Sequence, residues 1–166
     1  MNAFTSFSSH DESAMNLADD IAALEKVAHV FRSQLIEKFA EIETVIIKKI
    51  QNAEPDIIGK KPLGQKLAMM RKVATQNPPL FKNASQVVKL LNQLQPFADL
   101  RAELAHSTFS ILSTAQKGDI VVCRNANEAH HPVVKKCGHL TSGQMKHFLK
   151  RTEHLCAQFK LIEVEK

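Results

Sequence analysis

LADDIAALEKVAHVFRSQLIEKFAEIETVIIKKI, residues 17–50, carries the longest periodic pattern in the chain. Leu17, Ile21, Leu24, Ala28, Phe31, Leu35, Phe39, Ile42, Ile46 and Ile50 recur at steps of three and four. That is the period of an amphipathic helix, and an unbroken one over this span is about 50 Å long. Asn16 is the expected N-cap, and Asp19 and Asp20 fall in the first turn, where carboxylates complement the helix dipole. A break would fit only near Arg32-Ser33-Gln34, where no Gly or Pro enforces one. The stripe reads as a core face, with no cofactor in it.

Working outward, Pro55 and Gly59 mark a connection, and Pro62 suits the first turn of a second helix carrying Leu63, Leu67, Met70 and Val73. Asn77-Pro78-Pro79 ends it, because residues before proline are pushed out of helical geometry. Asn83 and Gln86 form a capping pair for a third helix with Val87, Leu90, Leu91 and Leu94, and Pro96 then kinks it or starts a new one. A central helix is predicted to run on through Leu112. On it Phe97, Leu100, Leu104 and Ile111 share one face, and Ala98, Ala102, Ala105, Phe109 and Leu112 form a second row. A single stripe joins a helix to its core. The second row means either a central helix buried on most sides or one that also meets a second molecule, and the latter gives the expected homodimer built across Ala98, Ala102, Ala105 and Phe109.

After Lys117-Gly118, Asp119–Cys123 and His131–Lys136 read as the strands of a small hairpin. Thr141 and Gln144 form a capping box for a last helix bearing Met145, Phe148, Leu149, Leu155, Cys156 and Phe159. The expected fold is all-α: a four- to five-helix up-and-down bundle with a small β-hairpin before the last helix. Residues 1–15 are expected to be a flexible tail, and residues 16–166 a single domain.

Composition narrows the function classes. Tryptophan and tyrosine are absent and nine phenylalanines carry the aromatic content, so platforms for stacking nucleobases are scarce. Cys123, Cys137 and Cys156 are an odd number at unrelated spacings, which argues for a reducing, cytoplasmic compartment over a disulfide framework. Met1–Ser13 lacks the basic start and apolar middle of a signal peptide, and no apolar run reaches a membrane span. Residues 1–56 hold five Lys/Arg against ten Asp/Glu, and the remainder holds seventeen against seven. A basic two-thirds of a chain is the footprint of a polyanion-binding protein, with RNA a candidate ligand.

LRAELAHS, residues 100–107, brings a guanidinium and an imidazole together in sequence, as Arg101 and His106. Cleavage of RNA needs a base for the 2′-hydroxyl, an acid for the leaving oxygen and a cation for the phosphate. Imidazole serves the first two near neutrality, and guanidinium suits the third through its fork of donors. On an uninterrupted helix, side chains five residues apart diverge by about 140°, so a second copy is expected to complete the cleft. Glu103 lies three residues before His106, within reach of its ring, and Ser107 adds a hydroxyl at the polar end.

With its Arg-x4-His spacing, the phrase Leu-Arg-x-x-Leu-Ala-His-Ser resembles the HEPN superfamily of small helical bundles. The resemblance implies a metal-independent endoribonuclease acting as a dimer, often as a toxin neutralised by an antitoxin partner or as a phage-defence effector. Arg101 and His106 would be its catalytic pair. The position after the Arg is usually polar in active members, and this chain has Ala102 there. An active ribonuclease and a non-catalytic HEPN-like scaffold, or RNA- or protein-binding module, are therefore both carried forward.

Cys123, His130, His131, Cys137 and His139 are zinc-competent types, but their spacing matches no C-x2-4-C or H-x3-5-H pattern, so no metal and no cofactor are expected. His147, His154 and Cys156 are expected on different faces of the last helix, with no shared role. No G-x-x-x-x-G-K-[ST], G-x-G-x-x-G or G-x-S-x-G occurs, which leaves nucleotide hydrolysis, a Rossmann cofactor and a nucleophile elbow without support.

Overall fold

The apolar stripe of residues 17–50 folds as one unbroken helix. The computed structural model describes residues 9–54, 61–114, 118–125 and 137–165. Their elements in order are α1 (Ser9–Ile50), α2 (Leu63–Gln76), a 3-10 turn at Pro78–Leu80, α3 (Ala84–Ala105), β1 (Ser107–Thr114), β2 (Gly118–Asn125), β3 (Cys137–Leu140) and α4 (Ser142–Lys160). The fold is a helical bundle with an antiparallel hairpin before its last helix, as expected. Among the described residues no helix is long and apolar enough to cross a membrane.

Ala28, Phe31, Leu35, Phe39, Ile42, Ile46 and Ile50 are each no more than 2% exposed, and they form the spine of the core. Burying a side chain of this size contributes about 2 kcal/mol, so the stripe dominates the stability of α1. Toward its start the helix leaves the bundle: from Asp19 to Val27 only Ile21 and Leu24 are even half-buried. The helix already holds at Ser9, the first described residue, so Asn16 lies inside it and is not its cap. No break occurs near Arg32.

Sequence signals for the other helices hold with small shifts. Pro62 is the N-cap of α2, one residue earlier than the first-turn position expected. The Asn83 side chain accepts from the Gln86 backbone N–H at 3.0 Å and caps α3. Pro96 sits inside α3 without ending it. Both bonds of the Thr141–Gln144 capping box are present at the start of α4. The C-terminal strand-like segment closes the bundle, with Val164 bridged to Phe81 and the Glu165 N–H donating to the Leu80 carbonyl at 2.9 Å.

The sheet departs from expectation. Its order is β1-β2-β3, fully antiparallel, with Ser107 opposite Asn125 and Thr114 opposite Gly118. The expected Asp119–Cys123 strand lies within β2, but its main partner is β1, which had read as helix. The expected strand His131–Lys136 lies outside the described residues. Apolar residues at 109, 111 and 112 fit either period, but Ser107, Thr108, Ser110, Ser113 and Thr114 are poor helix formers, and that decides the outcome. Phe109, Ile111, Val121, Cys123 and Leu140 pack on the core cluster.

Two charged groups lock α1 to its neighbours. Lys66 of α2 is only 6% exposed and its ammonium is paired with Glu43 of α1. Glu41 accepts from Lys38 at 2.7 Å and from Lys160 of α4 at 2.9 Å. The Lys38 hydrogen bond, then that of Lys160, hold the Glu41 carboxyl down at about 2.

Glu43→Ala strands a buried ammonium, and urea unfolding is expected to show a loss of about 3 kcal/mol, largely recovered when Lys66→Met is added. Glu41 gives a pH signature. Its folded pKa lies below its unfolded value of 4.5, so its stabilisation is complete above about pH 4.5 and is lost as pH falls toward about 2. Stability measured across that window should fall less steeply in Glu41→Gln than in the parent.

Candidate functional site

The segment with the Arg-x4-His spacing folds as a joint between α3 and β1. Leu104, 1% exposed, anchors the last turn of α3 in the core. The helix stops at Ala105, and His106 is its C-cap with φ −113° and ψ 5°, its N–H directed at the Glu103 and Leu104 carbonyls. Ser107 then opens β1, and its Oγ donates to the Glu103 carbonyl at 2.6 Å. That bond adds a second donor to the carbonyl the His106 N–H already reaches, and fixes the turn.

From α1, Arg32 reaches across to this joint. Its Nη1 donates to the Ser107 carbonyl at 3.0 Å, and its guanidinium lies over the Phe109 ring, 4.9 Å from the centroid. Its Nη2 lies 3.1 Å from His29 Nδ1. Guanidinium has no acceptor, so Nη2 donates and Nδ1 receives, which leaves the neutral imidazole's proton on Nε2. Nε2 lies 3.9 Å from Glu25 Oε1, and the His29 ring packs on Phe109 with centroids 5.2 Å apart. Among the described residues, no carboxylate pairs with Arg32. It is a cation held by a carbonyl, an imidazole and a ring, none of which neutralises it.

The expected site residues are only partly assembled. Arg101 is half-buried on α3, with its Nε buried and unpartnered. His106 and Glu103 are exposed, and Ser107 is 6% exposed. Among the described residues, no hydrogen bond joins Arg101 to His106, and Glu103 serves the joint through its carbonyl. The row Ala98, Ala102, Ala105 and Phe109 is not one face. Ala98 is 7% exposed in the chain's own core, Phe109 lies on β1 against α1, and only Ala102 and the half-buried Ala105 stay open at the helix end. The row dissolves because the helix ends before Phe109.

Cys123 of β2 sits opposite Phe109. Burial, reinforced by the Glu103 charge and opposed by Arg32, pushes its thiol up to about 11. It is therefore protonated at neutral pH, and neither a nucleophile nor a ready thiolate ligand. Of the expected Cys/His set, His130 and His131 lie outside the described residues, as do the Cys137 and His139 side chains. Among the described residues, no group of three or more His, Cys, Asp or Glu could hold a metal ion.

Sequence reading missed Glu25, His29 and Arg32. Their spacing of four and three puts them on one flank of the α1 stripe, a signal obscured by attention to the apolar positions. The joint thus presents His106, with His29 and Arg32 on the neighbouring helix. Such groups can exchange protons with, and donate hydrogen bonds to, a phosphodiester. Compared with models of known families, with curated proteins and with solved structures, the chain matches none.

The Arg32 contacts predict their own energetics. A double-mutant cycle of Arg32→Ala and Phe109→Leu, read by urea unfolding, should give a coupling energy of about 1 kcal/mol. Coupling near zero would mean that the guanidinium is not seated on the ring in solution.

Proposed function

We propose that the chain is a metal-independent endoribonuclease of HEPN type that works as a homodimer, as a toxin or defence effector with a neutralising protein partner. One observation carries the reading: an exposed imidazole, His106, five residues after Arg101, stands at a joint where Arg32 holds a guanidinium with no carboxylate partner among the described residues. In this reading His106 moves the proton of the 2′-hydroxyl or of the leaving oxygen, and Arg101 binds the phosphate. Ser107 and Glu103 set the turn that presents His106. A second copy meets the open Ala102–Ala105 end of α3, with Ala98 and Phe109 taken up by the chain's own packing.

A second reading is a non-catalytic HEPN-like scaffold that binds RNA or protein. It is favoured by Ala102 after the Arg and by the absence of a hydrogen bond between Arg101 and His106 within the chain.

Incubation of purified protein with RNA separates the two. Cleavage is expected to persist in a chelator and to leave a 2′,3′-cyclic phosphate with a 5′-hydroxyl. His106→Ala should slow it about 100-fold or more, and Arg101→Ala by a similar factor, with unchanged circular dichroism. Ala102→Glu should yield a monomer in sedimentation and lose activity with it. A wild type that binds RNA in a salt-sensitive way and never cuts it selects the scaffold.

A further inference from the structure

Helix α4 carries four Lys/Arg against a single acid, Glu153. His147, Lys150, Arg151 and His154 fall at i, i+3, i+4 and i+7, and together they line one concavity of about 380 Å³. The two histidines, expected on different faces, are thus on the same one: seven residues is two turns to within about 20°. Only Cys156 of that set lies elsewhere, buried and donating to Glu41 at 3.6 Å.

This face is charged and unneutralised. Among the described residues no carboxylate pairs with Lys150 or Arg151. Arg151 is half-buried and its Nη2 donates to the Gln93 amide oxygen of α3 at 3.4 Å, a partner that orients the guanidinium without cancelling its charge. Glu41 is paired with Lys38 and Lys160, and Glu153, three residues after Lys150, makes no ion pair among the described residues. His147 is braced by the Phe148 ring, with centroids 6.2 Å apart, and Phe148 in turn packs edge-on to Phe97 of α3 at 5.6 Å.

We propose that this face of α4 binds the phosphodiester backbone of a single-stranded RNA. The four side chains span about 10 Å of helix, enough to meet successive phosphates of one strand. The described residues that line it each end in an imidazole, an ammonium or a guanidinium, which suits a polyanion, and their stems supply the apolar part of the surface. With no Trp or Tyr in the chain, binding is carried by charge and is largely independent of base identity. The inference stands on α4 and does not require His106 to be catalytic.

The test is fluorescence anisotropy of a labelled 12-nucleotide oligouridylate with His106→Ala protein, which keeps the strand intact whatever the fate of the ribonuclease reading. Each phosphate contact on a single strand contributes about 0.7 to the slope of log affinity against log salt. Lys150→Gln should lower the slope by about 0.7, and Lys150→Gln with Arg151→Gln by about 1.4, with roughly tenfold weaker binding at fixed salt. The single variant removes an exposed side chain and keeps the test valid if the double variant folds poorly. Lys72→Gln, on α2 and paired with Glu54, should change nothing. An unchanged slope in Lys150→Gln, or an equal loss in Lys72→Gln, overturns the proposal. So does a pair of α4 variants that lose binding to phosphatidylserine vesicles while RNA binding is unaffected.

Discussion

Ala28 to Ile50 of α1 bury an unbroken apolar stripe, and a helix carrying such a stripe is stable only if other elements cover it. Elements α2, α3, α4 and the inner face of the sheet all pack on it. Because α1 has no kink, these partners share one rigid frame. Lys66 shows how strict the frame is: its ammonium is buried at the α1–α2 contact, and Glu43 must be there to meet it. The same frame carries Arg32. It lies one residue after Phe31, which is 2% exposed, so its guanidinium is delivered to the α3–β1 joint from a fixed base.

The parts of this fold legible in sequence are those where one physical rule acts alone. The α1 stripe has a single period, and its burial from Ala28 onward follows it residue by residue. Asn83 and Thr141 precede a Gln at the third position, and each side chain captures that residue's N–H as cap chemistry requires. The failures come where two rules compete. Between Phe109 and Leu112 the apolar spacing suits a helix, but the flanking Ser and Thr residues offer the backbone other hydrogen bonds and favour extension. Ser107 shows the competition directly: its hydroxyl takes a helix-end carbonyl, and the next residue is already strand.

The candidate site was legible in kind and not in composition. Arg101 and His106 could be picked out because their residue types suit phosphodiester chemistry. Arg32 and His29 could not, because what makes them notable is a contact across 75 positions of sequence, from Arg32 to Ser107. The charge map is a similar case. The excess of Lys and Arg beyond residue 56 is visible in sequence, but which cations are left unpaired is not. In the structure Glu41, Glu43, Glu54 and Glu163 pair with Lys38, Lys160, Lys66, Lys72 and Lys82. Among the described residues Lys150, Arg151 and Arg32 have no carboxylate partner, and neither do Lys89, Arg101 and Lys146, among others.

The end of α3 also changes the argument for a two-chain site. Divergence of Arg101 and His106 by about 140° holds only if both sit on one regular helix. His106 does not: at ψ 5° it has left helical geometry, and its side-chain direction is set by the turn into β1. The helical divergence therefore no longer requires a second copy. What remains in favour of one is exposure, since Ala102 is open beside the motif and Arg101 keeps its Nε buried without a partner. Under the ribonuclease reading, Arg32 then becomes the informative residue. Its guanidinium is fixed on the Ser107 carbonyl, one residue after His106, and so places a second cation at the joint from within the same chain. Arg101 stays the cation proposed for the phosphate, and Arg32 adds charge to the joint from α1 without needing a second chain.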